Sequence, residues 1–230
     1  LAGYVETVTG PYFINGKAES TDDNTLGTPL KGALCVASKA DLSKVEVVVP
    51  KLFVASDSGA GLFLDGNYVY YGSPSTEKNS EGVIANDQLT FAKTKLDGSG
   101  ETQEFFTISG ISTEYRIVKG DKGVCIYYYD AENSAIMCYN TKDAKAYEVI
   151  KTDAKQKDYS LDKYKFLDAD GSNGIIALLT VTIYQKDYDE EAAKNPTYSR
   201  LTENYNEIYA IKAGESKITK IASGKNEADP

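Results

Sequence analysis

The amino-acid sequence predicts an all-β fold made of four similar antiparallel sheets. Short stretches rich in Val, Ile, Tyr, Phe and Thr recur along the 230 residues, separated by Gly, Asn and Asp. Almost no segment has the apolar period of a helix, apart from one plausible helical turn at 187–194. The stretches recur in groups of four, and each group predicts one four-stranded meander, with strands named a to d.

A tight polar turn between strands c and d sets the register of the four copies. The turns carry Asp or Gly at one shared position, where a left-handed backbone is tolerated. These positions are Asp41, Asp97, Asp143 and Gly214. Six residues earlier the chain places an apolar side chain in every copy: Cys35, Phe91, Met137 and Ile208. An apolar residue at the same position of every copy is expected when that side of the strand is buried.

The copies occupy about 1–50, 51–109, 110–154 and 155–224, and we expect them to form a single domain over 1–230. A lone meander cannot bury both faces, so successive sheets must stack. Radial stacking gives a β-propeller, whereas flat stacking or closure gives a sandwich or a barrel. The repetition in fours favours a β-propeller-like fold of about four four-stranded antiparallel blades.

The second copy resembles a known repeat. Its aromatic strand Tyr-Val-Tyr-Tyr at 68–71 and its turn Lys-Leu-Asp-Gly-Ser-Gly at 95–100 are similar to the YWTD-type propeller repeat. They are also similar to the repeat of bacterial secreted propellers of unknown function, although the YWTD tetrapeptide itself is absent. Those families usually have more than four blades. The resemblance therefore implies either a four-bladed variant or a part of a larger propeller.

The composition excludes several kinds of chemistry. The chain has no His, which removes Ser-His-Asp and Cys-His nucleophile systems and His-ligated metal sites. Its net charge of -9 argues against nucleic acid and anionic lipid as partners. The sequence predicts no catalytic residue, metal site or cofactor. A 168–173 stretch resembling a calcium loop lacks the Gly and Glu that an EF-hand needs.

Three cysteines lie in apolar, strand-like stretches and form no CxxC motif. Cys35, Cys125 and Cys138 are therefore interpreted as small buried hydrophobic residues. A bridge between Cys125 and Cys138 is the alternative, since adjacent hairpin strands would carry them.

Candidate binding residues lie in the connections between strands b and c. These connections are long at 18–31, 72–88 and 185–206 but short in the third copy, and in a propeller they share one face. Their carboxylates and tyrosines suit a metal ion, a sugar or a cationic peptide, although a solvated acidic loop has the same composition. The candidates are Asp22, Asp23, Glu77, Glu81, Asp187, Tyr188, Asp189, Tyr198 and Tyr205.

The predicted function is non-enzymatic recognition or scaffolding at a bacterial cell surface, with a protein or carbohydrate ligand on the face of the long b–c loops. One alternative is a carbohydrate-active enzyme with paired carboxylates, and another is a structural part of a larger propeller. No apolar run reaches the length of a membrane helix. Because the chain starts at Leu1, we expect a processed or trimmed N-terminus, a secretory signal or lipid anchor upstream, and an extracellular or cell-envelope location.

Overall fold

The computed structural model confirms the all-β fold class, with four four-stranded antiparallel sheets, each in simple chain order. One short 3-10 helix, Ala192–Lys194, lies inside the predicted helical turn. The structure describes residues 4–15, 32–50, 52, 62–75, 80–82, 88–109, 115–151, 159–170, 174–185, 190–197 and 202–226.

The strands of each sheet are named in chain order. Sheet 1 contains β1 (Tyr4–Glu6), β2 (Pro11–Ile14), β3 (Leu34–Ala37) and β4 (Val45–Val49). Sheet 2 contains β5 (Leu62–Asp65), β6 (Tyr68–Pro74), β7 (Gln88–Lys95) and β8 (Thr102–Ser109). Sheet 3 contains β9 (Tyr115–Gly120), β10 (Gly123–Asp130), β11 (Ala135–Asn140) and β12 (Lys145–Lys151). Sheet 4 contains β13 (Tyr159–Asp170), β14 (Ile175–Gln185), β15 (Thr202–Lys212) and β16 (Ile218–Lys225).

The middle strands of each sheet carry most of the buried residues. Strand β10, for example, is buried continuously from Val124 to Tyr128, whereas the fourth strands β8 and β16 are largely exposed. Middle strands with both faces covered and an exposed outer strand are expected of a propeller blade. The apolar composition of strands b and c and the polar composition of strand d follow from these positions.

The chain forms two compact units, Leu1–Thr113 and Glu114–Pro230, and each contains two sheets. The prediction of a single domain stays a prediction. In the first unit, Tyr12 and Leu34 of sheet 1 pack in one core with Val69, Tyr71 and Ala92 of sheet 2. The core of the second unit joins residues of sheets 3 and 4: Val118, Cys125, Tyr127, Ile136, Cys138, Phe166, Ile176, Leu178 and Ile211.

A tyrosine on strand b joins the two sheets in both units. The Tyr12 hydroxyl accepts a hydrogen bond from the Gly98 N–H at 3.0 Å, in the c–d turn of sheet 2. The Tyr127 hydroxyl accepts one from the Gly214 N–H at 3.2 Å, in the c–d turn of sheet 4. Both glycines have positive φ, at 85° and 82°. The c–d turns that set the repeat register therefore also contribute to the packing between sheets.

All three cysteines are buried free thiols. The β10–β11 register places Cys125 opposite Asn140, and Cys138 opposite Tyr127. The two cysteines are thus diagonal neighbours, a placement in which Cα atoms are farther apart than in a direct pair. The suggested bridge is not formed, and both residues contribute to the core of the second unit.

Candidate functional site

Most of the predicted binding residues lie outside the described residues. These are Asp22, Asp23, Glu77, Asp187, Tyr188, Asp189 and Tyr198. Glu81 is described and exposed, within 80–82 of the first unit. Tyr205 lies on β15 of the second unit, where its hydroxyl donates to Glu203 Oε2 at 3.2 Å and its ring meets Tyr184 edge-on. That the long loops form a binding face stays a prediction.

The described part of the first unit contains a cleft of about 400 Å³ between sheets 1 and 2. Its lining includes the end of β6 and the beginning of β7, the two strand ends that the 72–88 connection joins. One wall is apolar and comes from the end of β4, with Val48, Val49 and Pro50. This volume is within the range of small-ligand pockets.

The opposite wall of the cleft is rich in hydroxyl groups. It is formed by Ser73 and Ser75 on and beside β6, Thr90 on β7 and Thr102 on β8, together with Tyr71. These side chains face the cleft because residues two apart on a strand point to the same side of the sheet. The sequence therefore provides a polar surface on sheet 2 where a purely structural core would be apolar.

A chain of hydroxyl hydrogen bonds runs across this wall. The Tyr71 hydroxyl lies 2.8 Å from Thr94 Oγ1, which lies 2.7 Å from Thr102 Oγ1. Thr102 donates to the Gly100 carbonyl at 3.3 Å, and a carbonyl can only accept. In the Tyr71–Thr94 and Thr94–Thr102 pairs either hydroxyl can be the donor. Burial raises the pKa of Tyr71.

Glu104 is the only charged side chain among the described residues that line the cleft. It stands on β8 opposite Ala92 and is exposed. Within the described residues, no hydrogen bond or ion pair engages its carboxylate. The cleft thus has a single formal negative charge and no basic group among these lining residues.

The corresponding place in the second unit is identified by a shared β-bulge. The register of strands c and d shifts between Phe91 and Ala92 in sheet 2, and between Ile208 and Tyr209 in sheet 4. Tyr209 opposite Lys220 therefore corresponds to Ala92 opposite Glu104. By the same register, Glu207 corresponds to Thr90.

In the second unit this place is filled by a hydrogen-bonded network around Glu207. Lys220 Nζ lies 2.5 Å from Glu207 Oε1 and 2.7 Å from the Tyr184 hydroxyl, and it also lies over the Tyr184 and Tyr209 rings. Tyr209 and Tyr184 donate to the same carboxylate at 2.6 and 2.9 Å. The Tyr209 ring and the Lys220 ammonium group stand at the positions of Ala92 and Glu104.

The Glu207 carboxylate is ionised although its side chain is only 1% exposed. Burial alone would raise its pKa, but hydrogen bonds donated by Lys220, Tyr209 and Tyr184 outweigh burial and hold the pKa at about 2. The same carboxylate raises the pKa of Lys220 against the opposing effect of burial. The network is a fully satisfied ion pair, so its role is structural.

Comparison with known proteins assigns no family. No protein-family profile matches the chain, and no similar curated protein was found. Among the described residues, no three His, Cys, Asp or Glu side chains group as metal ligands. None of the helices described is long and apolar enough to cross a membrane.

The cleft residues were not among the sequence predictions, which concentrated on loops. A signal was present in β7, where the hydroxyl of Thr90 alternates with the fully buried Leu89 and Phe91. Glu207 and Lys220 gave no comparable signal, because they are 13 residues apart and meet only through the strand register.

Proposed function

We propose that this protein is a non-enzymatic recognition module of a bacterial cell surface and that it binds an oligosaccharide in the cleft of its first unit. The observation that carries the proposal is the cleft itself, which has a hydroxyl-rich wall facing an apolar wall. Sugars present hydroxyl groups at their edges and C–H groups on their ring faces. Such a ligand needs hydrogen-bonding groups on one side and apolar contacts on the other.

The two walls provide these contacts in the required arrangement. The serines and threonines can each bond a sugar hydroxyl, while Val48, Val49 and Pro50 offer a surface for the ring face. Side chains on strands are held more firmly than loop side chains, which reduces the entropy lost on binding.

One predicted b–c connection begins and ends beside the cleft. The 72–88 connection carries Glu77 and Glu81, and its described ends at 73–75 and Gln88 line the cleft. Loops on a rigid scaffold commonly contribute to binding. We propose that this connection extends the ligand contacts beyond the described wall, as the sequence analysis expected.

The enzyme alternative requires two carboxylates facing one another across a cleft, at ~5–9.5 Å. The described lining provides Glu104 alone, so nothing observed there favours hydrolysis. This alternative stays a prediction, as does a structural role in a larger propeller.

The test is isothermal titration calorimetry with a panel of neutral oligosaccharides and two matched variants. Thr90→Trp fills the cleft. Gln103→Trp adds the same ring to an exposed residue of β8, which lies between the lining residues Thr102 and Glu104 and therefore points to the other side of the sheet. Each variant is first checked for a native circular dichroism spectrum.

We expect Thr90→Trp to weaken binding by at least about tenfold, as steric exclusion from a pocket requires, and Gln103→Trp to leave it unchanged. Equal affinity of both variants would place the ligand elsewhere. Failure of the unmodified protein to bind any oligosaccharide of the panel would reject the proposed function.

A further inference from the structure

We infer that the first unit has a second binding site, which takes an extended peptide segment of a partner protein. The site is a cleft of about 440 Å³ at the other ends of β6 and β7, and we call it the turn cleft. It lies between 5–8 and Lys39 of sheet 1 and Leu64, Gly66 and Asn67 of sheet 2. It shares no lining residue with the cleft around Thr90, so the inference does not rest on the proposed function.

Aliphatic side chains give the turn cleft an exposed apolar surface. Val8 is 87% exposed and Leu64 is 46% exposed, and both line the cleft together with the buried Leu96. Single exposed aliphatic residues are common on protein surfaces, but two that line one cleft indicate an interaction surface. An aliphatic side chain of a partner that enters the turn cleft would remove both residues from water.

The two sheets of the second unit approach closely at the equivalent place, beside a glycine. The Ala213 N–H donates to the Gly174 carbonyl at 2.6 Å, as the Leu96 N–H donates to the Asn67 carbonyl at 2.7 Å, so Gly174 corresponds to Asn67. A side chain at Gly174 would collide with the Lys119 carbonyl of sheet 3. Because Asn67 has a side chain, the same close approach is excluded in the first unit. This difference helps to keep the turn cleft open.

The Asn67 carboxamide gives the turn cleft a group that can recognise a peptide backbone. It is exposed, and it makes no side-chain hydrogen bond within the described part of the chain. An amide side chain donates through its nitrogen and accepts through its oxygen, so it can bond both the C=O and the N–H of an extended chain. An alkyl chain offers neither group.

Two side chains of opposite charge also line the turn cleft. Glu6 and Lys39 are both exposed, and neither bonds another side chain among the described residues. The third charged lining residue, Asp97, is paired with Lys95 at 2.7 Å. A peptide with one acidic and one basic residue can pair with both Glu6 and Lys39, whereas a neutral sugar can pair with neither. Exposed pairs contribute little, so the charges select the ligand while the apolar contacts hold it.

The test selects peptides from a random heptapeptide library on phage with the unmodified protein and measures synthetic copies by fluorescence anisotropy. Leu64→Asn removes part of the apolar wall, and Leu42→Asn makes the same change at a 66% exposed leucine that does not line the turn cleft. Lys39→Gln and Lys44→Gln form a second matched pair, because Lys44 is exposed and lies outside the cleft. Each variant is first checked for a native circular dichroism spectrum.

We expect the selected peptides to combine an aliphatic residue with an acidic and a basic one. Leu64→Asn should weaken their binding roughly tenfold, as the loss of one buried aliphatic contact implies, and Leu42→Asn should leave it unchanged. Lys39→Gln should weaken binding roughly threefold, and Lys44→Gln should not. Thr90→Trp, which fills the other cleft, should leave peptide binding unchanged, so this result is separate from the sugar titration.

Failure to select any peptide would overturn the inference, and so would equal affinity of the Leu64→Asn variant and the unmodified protein. A second copy of the chain is the competing occupant, which analytical ultracentrifugation of the unmodified protein tests. Self-association that Leu64→Asn abolishes and Leu42→Asn preserves would assign the turn cleft to another copy and overturn the peptide assignment. A protein that stays monomeric and binds the selected peptides through Leu64 supports it.

Discussion

Two residue pairs explain why the equivalent places in the two units differ. In the first unit the cross-strand pair is Ala92 and Glu104, which leaves a cleft. In the second unit it is Tyr209 and Lys220, and these side chains complete a network on Glu207. The backbone register, including the bulge, is the same in both. The size and charge of these side chains therefore contribute to whether this part of the sheet is open or filled.

The buried Glu207 makes the stability of the second unit dependent on pH. Its pKa in the fold is about 2, below the ordinary value of 4.5, so folding favours the ionised form. Its contribution, of the order of 3 kcal/mol, is fully present above about pH 4.5 and is lost as the pH falls towards 2. We expect Glu207→Gln to remove most of this acid dependence, as measured by urea unfolding at a series of pH values.

The control for this prediction is Glu215→Gln, which removes an exposed carboxylate paired with Lys212 on the surface. Surface pairs contribute little, so the variant should follow the unmodified protein at every pH. A Glu207→Gln variant that loses as much stability on acidification as the unmodified protein would contradict the assignment.

At the scale of elements, the strand b tyrosines couple neighbouring sheets. Tyr127 is fully buried, accepts from the Gly214 N–H and donates to the Lys212 carbonyl at 3.3 Å. Tyr127→Phe leaves both of these backbone groups without that partner while keeping the ring in the core. We expect the free energy of unfolding to fall by about 1–2 kcal/mol, measured by urea denaturation.

The comparison variant for Tyr127→Phe is Tyr129→Phe. Tyr129 lies two residues along the same strand and stacks near Tyr164, but its hydroxyl makes no hydrogen bond within the described residues. Tyr129→Phe should therefore lower the free energy of unfolding much less than Tyr127→Phe does. Equal losses in the two variants would show that the hydroxyl of Tyr127 does not couple the sheets.

The elements that were predictable from sequence are those with local causes. Apolar strands and Asp or Gly turns such as Asp97 and Gly214 are encoded within a few residues, so the four meanders could be identified. The bulge beside Ala92 and the meeting of Glu207 with Lys220 depend on pairing between strands. Pairing between distant strands is not encoded locally, and the cleft residues were missed for this reason.

At the scale of the whole molecule, the chain contains two units of two sheets with the same topology but different surfaces. Among the described residues, the first unit has the cleft at this register, and the second has the Glu207 network. We propose that the repeat provides the framework and that a few substitutions within it create a binding site in one copy.

Backbone amide NMR during titration with an oligosaccharide that binds in the calorimetric panel tests the central claim most directly, because it reports on both units in one experiment. The account predicts the largest shift changes at 48–50, 71–75, 88–92 and 102–104, around the cleft. It predicts little change at the equivalent strands, near Thr180 and at 207–209. Changes centred on the second unit, or spread evenly over both, would contradict it.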